Sequence, residues 1–212
     1  MSAVAVVIPT IPSRERLLRR AVASVHAQTR RVDQLVVETD EGRTGAAQTR
    51  NRGLSRVRDD IDLIAWLDDD DELMPSHVER LARVLERAPD IDLVYPIPRV
   101  VGGRDPTATA VNGQWIPPWR VPFGPEQETH LREKGSFIPI THMVRAAKVR
   151  EIGGFPAPGT VRWLEDWGYL VLLLDAGARF YHLPVTTWVW RVHAEMTAGG
   201  ALSPGKPLWD RR

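Results

Sequence analysis

Apolar residues in the first hundred positions alternate between short continuous runs and helical spacings. Ala3–Ile8 is a Val-rich run closed by Pro9, the pattern of a strand buried on both faces. Leu17, Leu18, Ala21, Val22 and Val25 then recur on one helical face, which predicts an amphipathic helix with Ser13 as its N-cap. Gln34–Val37 reads as a second strand, and Gly45–Val57 as a second helix that Gly53 should weaken. Leu63–Leu67 is a third apolar strand, and it runs directly into Asp68–Asp71. Ser76 and Glu79 have the spacing of a capping box ahead of Val78, Leu81, Ala82 and Leu85. Pro89 closes that helix, and Leu93–Tyr95 reads as a fourth strand.

This strand–helix alternation predicts an α/β fold, a mixed, mostly parallel sheet flanked by helices on both faces. Residues 98–135 depart from it. They are rich in Pro, Gly and Trp, show no period, and read as a long functional loop or irregular insertion. Regularity returns at Ala146–Ile152, which Gly153 and Gly154 stop. A further helix begins near Asp166 and ends at Gly177 as a C-cap. Arg179–Leu183 and Thr186–Val192 read as two closing strands. The chain is expected to form one domain over 1–212, with halves at 1–97 and 98–198 and a mobile tail at 199–212.

Composition narrows the chemistry. A length of 212 residues fits a single domain. The absence of Cys excludes disulfides, thiolate zinc sites, iron–sulfur clusters and a cysteine nucleophile. A formal net charge of +1 disfavours a nucleic-acid partner. Apolar runs such as Leu170–Leu174 are too short to span a bilayer, and the N-terminus lacks a basic leader. Both features predict a soluble, cytoplasmic protein.

The near-neutral total hides a local asymmetry, for Asp59–Glu72 holds eight acids and no base. Open parallel sheets bind ligands beyond the carboxyl ends of their strands. Here those ends are Pro9-Thr10, Glu38-Thr39-Asp40 and Asp68–Asp71. Carboxylates crowded at one edge repel one another unless a cation neutralises them. Oxygen-only ligands suit Mg²⁺ or Mn²⁺, which share their coordination with substrate phosphates. The third strand therefore points to a metal–diphosphate site, with a solvated acidic turn as the competing reading. Within the run, Asp71 and Glu72 are expected to be merely solvated. Two further groups stand out: Glu165-Asp166 at a helix start, where the macrodipole alone would favour acids, and Arg191-Val192-His193 ending the last strand.

Together these segments resemble family 2 glycosyltransferases of the GT-A fold. The matching stretches are Val4–Thr10, Gly45–Leu54, Ala65–Asp71 with Pro75, Ile152–Phe155, Glu165-Asp166 and Arg191–His193, in the family's order. The resemblance implies a 1–97 nucleotide-binding half and a 98–198 acceptor-binding half. It implies a nucleotide-sugar donor, UDP-linked by default, with a glycan, protein or small molecule as acceptor and Mn²⁺ or Mg²⁺ as cofactor. Asp70 and His193 would hold the metal. Asp68 would hold the ribose or a metal-bound water and Asp69 would contact the ribose, Pro9, Thr10, Glu38 and Asp40 would line the base pocket, and Arg50 and Asn51 would lie near the donor. Asp166 would be the general base of an inverting displacement, with Glu165 orienting it or the acceptor. Strand two ends in Glu38-Thr39-Asp40-Glu41-Gly42 instead of the family's aspartate-rich turn, which bears on base identity. With no predicted membrane span or appended domain, processive polymer export is not expected. A sugar nucleotidyltransferase is a rival reading, but the loop Thr10–Arg14 lacks glycine. A non-catalytic nucleotide-sugar or carbohydrate-binding protein is a second rival, and it would not need Asp166.

Eight Trp against three Tyr is an unusual ratio. Trp163 and Trp167 flank the Glu165-Asp166 pair and are the candidate acceptor platform. Trp66, Trp188 and Trp190 read as packing residues, and His26 and His77 as surface residues.

Overall fold

Strand β1 (Val4–Thr10) is buried along its whole length. Its side chains alternate between two cores: Ala5 and Val7 face one, Val4, Val6 and Ile8 the other. That arrangement requires helices on both faces, and the computed structural model supplies them. It describes residues 1–103, 109–111, 114–116, 122–157 and 165–193. After β1 come a 3₁₀ turn (Pro12–Arg14), α1 (Glu15–His26), β2 (Gln34–Thr39), α2 (Ala46–Ser55) and β3 (Leu63–Trp66). β4 (Glu72–Leu73), α3 (His77–Arg87), β5 (Leu93–Val101) and the hairpin β6 (Thr109–Val111)–β7 (Gln114–Ile116) follow. The chain continues through α4 (Pro125–Glu133), β8 (Met143–Arg145), α5 (Ala146–Glu151), α6 (Glu165–Asp175) and β9 (Phe180–Arg191).

The main sheet has the order β2-β1-β3-β8-β5-β9-β4. The β1/β2, β1/β3 and β5/β9 pairings are parallel and carry most of the register, whereas β8 and β4 pair antiparallel. Helices α1 and α3 cover one face, with Ala21, Val25, Val78, Leu81 and Leu85 in that core. Helices α2, α4, α5 and α6 cover the other. The predicted α/β sheet flanked by helices is therefore the observed architecture.

Several local expectations are corrected. Residues 98–135 are not one irregular loop: β5 extends to Val101 and α4 forms at Pro125–Glu133. Helix α4 buries only Leu131, so it has no apolar stripe to detect. The two closing strands are one strand, β9, whose register against β5 shifts around Ile97, at the bulge where Pro184 is accommodated. Ser13 does not cap α1, since Pro12–Arg14 forms a separate turn and Arg14 occupies the N-cap. Ser76 makes no side-chain cap either; its hydroxyl accepts from Arg80 Nε at 2.9 Å, while Glu79 pairs with Thr29 and Arg83. His77 is not a surface residue. It is fully buried against β9, with Nδ1 2.9 Å from Thr187 Oγ1, and burial pushes its pKa down to about 3.

Gly53 does more than weaken α2. A Cβ there would lie 2.8 Å from Val7 Cγ1, a stiff buried side chain on β1. The missing side chain lets α2 approach the sheet. Gly53→Ala is thus expected to destabilise by about 1–3 kcal/mol of overpacking, against a helix-propensity gain of at most about 1 kcal/mol. Urea unfolding decides it, and a variant more stable than the parent would contradict the packing argument.

Candidate active site

Strand β3 is fully buried, so its exit leaves Asp68 at the rim of the sheet. The chain turns at Asp69-Asp70 and re-enters the sheet as β4 beside β9. This reversal deals the four aspartates to four different surroundings. Asp68 Oδ1 accepts from Arg50 Nη2 at 2.7 Å. Asp69 accepts from Thr10 Oγ1 at 2.7 Å and from Arg14 Nη1 at 2.9 Å. Asp70 lies 3.3 Å from Arg14 Nη1 and 3.2 Å from His193 Nε2. Asp71 Oδ1 accepts from the Arg191 amide at 3.0 Å.

Asp71 therefore overturns the expectation of a solvated residue: it is 3% exposed. Glu72 is also engaged, with Arg191 Nη2 at 2.6 Å and Arg20 Nε at 3.8 Å. The run is not a turn throughout, because Glu72 already belongs to β4. Carboxylate oxygens of Asp68, Asp70 and Asp71 converge to within 4.8 Å of one another. Burial, then Asp68 and Asp69, raise Asp70 to about 6, partly offset by Arg14 and His193. Burial, then Asp70 and Asp68, push Asp71 well above the usual carboxylate range. Hard oxygen donors held this close against their repulsion fit a divalent cation. Arg14, absent from the sequence-based site, joins it because the 3₁₀ turn points the start of α1 at the acids.

His193 reaches Asp70 on the end of the β5/β9 ribbon. The Val192 amide donates to Val101 O at 2.9 Å. Gly102 and Gly103 lie under Val192, where a Cβ on Gly102 would come within 2.5 Å of Val192 O.

At the end of β2, Asp40 is 5% exposed and accepts from the Thr44 amide (2.9 Å), the Thr44 hydroxyl (2.8 Å) and the Gly45 amide (2.8 Å). Burial alone would raise its pKa, but these bonds and Arg52 hold it at about 2. Glu38 is tied to Arg56 Nη1 at 2.8 Å and to Arg52 Nε at 3.0 Å, and these bonds, Arg56 first, lower its pKa. Both acids thus shape the loop between β2 and α2. Pro9 and Thr10 lie beside Glu38 and Thr39 in register.

Helix α2 supplies two candidate positions in succession. Asn51 clamps a backbone: its Nδ2 donates to Phe155 O at 2.8 Å and its Oδ1 accepts from the Phe155 amide at 2.8 Å. Arg50, 5% exposed, reaches Asp68 and lies 3.6 Å from Glu165 Oε1 through Nη1. Glu165 and Asp166 occupy the first turn of α6. Burial, then Glu165, raise the pKa of Asp166, and Arg50 offsets part of this. Its Oδ1 accepts from the Trp167 amide at 2.7 Å. Arg50 thus brings the sheet-edge acids and the α6 acids into one site. Phe155, not singled out in the sequence beyond its motif, stacks on Tyr169 at 4.1 Å and meets Trp66 edge-on at 4.9 Å.

Trp167 packs on the core, and its indole N–H donates to the Leu131 carbonyl of α4. Trp66 is fully buried, and Trp188 stacks on Trp190 at 5.8 Å, so these three do pack as expected. Trp163 and the 199–212 tail lie outside the described residues. No described helix is long and apolar enough to cross a membrane.

Comparison with known proteins bears on the fold and the family. In fold the chain is similar to S. aureus TarS residues 1–349, with a TM-score of 0.68 at 14% identity over 89% of this chain. It is similar to the same fragment in complex with UDP-GlcNAc, with a TM-score of 0.66 at 14% identity over 90% of this chain. The chain spans 60% and 59% of those two fragments and 37% of the longer TarS structure. No curated protein sequence matches it. The family described as glycosyl transferase family 2 matches residues 33–153, which include both α2 and the Asp68–Asp71 turn. The chain belongs to glycosyl transferase family 2.

Proposed function

We propose that this protein transfers a sugar from a nucleoside-diphosphate sugar to an acceptor hydroxyl, with inversion by single displacement. The observation that supports this best is the two groups of carboxylates joined through Arg50: one crowded at the sheet edge, the other formed by Glu165 with Asp166 in the first turn of α6. A non-catalytic binding protein would not need Asp166 on that turn. Asp166 takes the proton from the acceptor hydroxyl as its oxygen attacks the anomeric carbon. The bond from that carbon to the diphosphate breaks, and the departing nucleoside diphosphate keeps the electron pair. Asp68, Asp70 and Asp71, with His193 beside Asp70, would hold Mn²⁺ or Mg²⁺. When bound, the cation supplies Lewis acidity toward the diphosphate and neutralises the cluster. Pro9, Thr10, Asp68 and Asp69 line the donor side, while Glu38, Asp40 and Asn51 serve it by shaping its walls. UDP is the favoured nucleotide because the fold neighbour is described with UDP and UDP-GlcNAc. Trp167, and Trp163 by its sequence position, are the aromatic residues proposed for the acceptor side.

The cation is the part most directly tested. Without it, the folded state keeps a proton on Asp70 up to about pH 6, whereas an unfolded aspartate releases it near pH 3.9, an approximate value. The folded state then binds more protons, so this group's contribution to stability falls as pH rises through that window. A cation that relieves the cluster should therefore raise Tm more at pH 8 than at pH 5. Buried histidines titrate with the opposite sign but cancel when each pH is compared with and without metal. Thermal unfolding with Mn²⁺ and UDP is expected to show this pH dependence, and Asp70→Ala to abolish it. An equal Mn²⁺ shift in Asp70→Ala would remove the metal site.

A further inference from the structure

Arg50 carries more charge chemistry than its two partners use. Its side chain is 6% exposed, and Nε and Nη1 have no hydrogen-bond partner among the described residues. An unmade bond from a buried charged group is costly. The guanidinium is nonetheless fixed. Nη2 is spent on Asp68 at 2.7 Å, and its face lies 5.3 Å over the Phe155 ring. Phe155 is itself clamped by Asn51, the next residue of α2. Burial opposes the charge, but Asp68, Glu165 and Asp166 outweigh it and keep Arg50 charged. Of its two open nitrogens, Nη1 faces Glu165 Oε1 at 3.6 Å, just beyond hydrogen-bond length.

We propose that Arg50 is a positioning residue that couples the donor carboxylate Asp68 to the base-bearing turn of α6 through Glu165. The sequence resemblance places Arg50 near the donor; the geometry gives it protein partners on both sides instead. When Asp68 shares its charge with a bound cation, a buried guanidinium must find another acceptor, and Glu165 needs to move by less than an ångström to become one, judged from 3.6 Å against a normal bond. Loading the donor side thereby draws Glu165 in and sets Asp166 on the adjoining position. What the coupling accomplishes rests on the glycosyl-transfer reading; its existence does not.

A double-mutant cycle on Arg50→Gln and Glu165→Gln tests this, with Arg50→Lys as the conservative variant. Release of UDP from UDP-GlcNAc with Mn²⁺, water serving as acceptor, is the activity readout. Each single variant is expected to lower kcat about 10–100-fold with donor KM within about 3-fold, and the double variant to be no worse than either. Arg50→Lys should recover part of the loss, since it keeps the charge but not the fork. A donor KM raised about 10-fold or more in Arg50→Gln, with kcat unchanged, would make Arg50 a donor contact and overturn the proposal. Multiplicative losses in the double variant would overturn it too. Should the parent protein turn over no nucleotide sugar, the transfer reading fails by itself, and the cycle is read by thermal unfolding without substrate. Non-additive Tm changes of about 2–4 °C between Arg50 and Glu165 then support the coupling, and additive changes refute it. If Arg50→Gln does not fold, the same cycle is run with Arg50→Lys.

Discussion

Asp166→Asn is expected to lower sugar transfer about 10²–10⁴-fold, the usual worth of a positioned general base. The substitution is close to isosteric, and the new amide oxygen can still accept from the Trp167 amide, which now bonds Asp166 Oδ1 at 2.7 Å. Helix α6 loses one favourable charge in its first turn, worth under about 1 kcal/mol, and gains relief from desolvating it. Stability should therefore change little, so lost activity will report on chemistry. The charge matters because burial and Glu165 lift this carboxylate above its ordinary pKa, toward better proton acceptance, while Arg50 offsets part of that rise. UDP binding with Mn²⁺, measured calorimetrically, is expected to stay at the parent value because Asp166 is on α6, not on the sheet edge. A variant that retains the parent rate at saturating donor would remove Asp166 from the mechanism.

The parts of this site that were legible in the sequence share one property: each is announced by a change of pattern. The apolar run of β3 breaks abruptly into acids, so the sheet-edge position of Asp68–Asp70 is legible in the sequence pattern alone. The alternation of β1, α1, β2, α2 and β3 likewise follows the burial that the structure imposes on them. What escaped was set by long-range pairing. Strands β4 and β8 are too short to show a period, and both form only because β9, β3 and β5 lie ready to accept them. Asp71 looked solvated since nothing local reveals that the Arg191 amide lies above it, a contact made across 120 positions of chain. Asn51 and Arg50 were legible as a motif, but their jobs were not. Which backbone Asn51 holds, and which acids Arg50 joins, depends on where Phe155 and the first turn of α6 pack against α2. His77 failed for the same reason: a polar residue at a helix start reads as surface until the facing strand is known.

Asn51→Ala is expected to be the most destabilising of these substitutions, by about 2–4 kcal/mol. It strands two backbone groups of Phe155, which is 3% exposed, and each buried group left unmade costs about 1–3 kcal/mol. The loss should appear as a lower urea midpoint with an unchanged slope. Activity should fall with it, because the Phe155 ring that underlies Arg50 is no longer held. The opposite side of the clamp offers an independent check. Gly154 has φ +89°, and a Cβ there would lie 2.4 Å from Asn51 Oδ1. Gly154→Ala therefore pushes on the same amide that Asn51→Ala deletes, and should cost a comparable amount for a different physical reason, overpacking and backbone strain. Because both variants destroy one clamp, the pair should be strongly non-additive: once Asn51 is Ala, the collision with its amide is gone, and the backbone strain at Gly154 and a 3.1 Å approach to Leu54 Cδ2 remain. Fully additive losses would mean that Asn51 and Gly154 act separately, and that the link between the α2 motif and the glycine pair preceding Phe155 is not what holds the floor of the site.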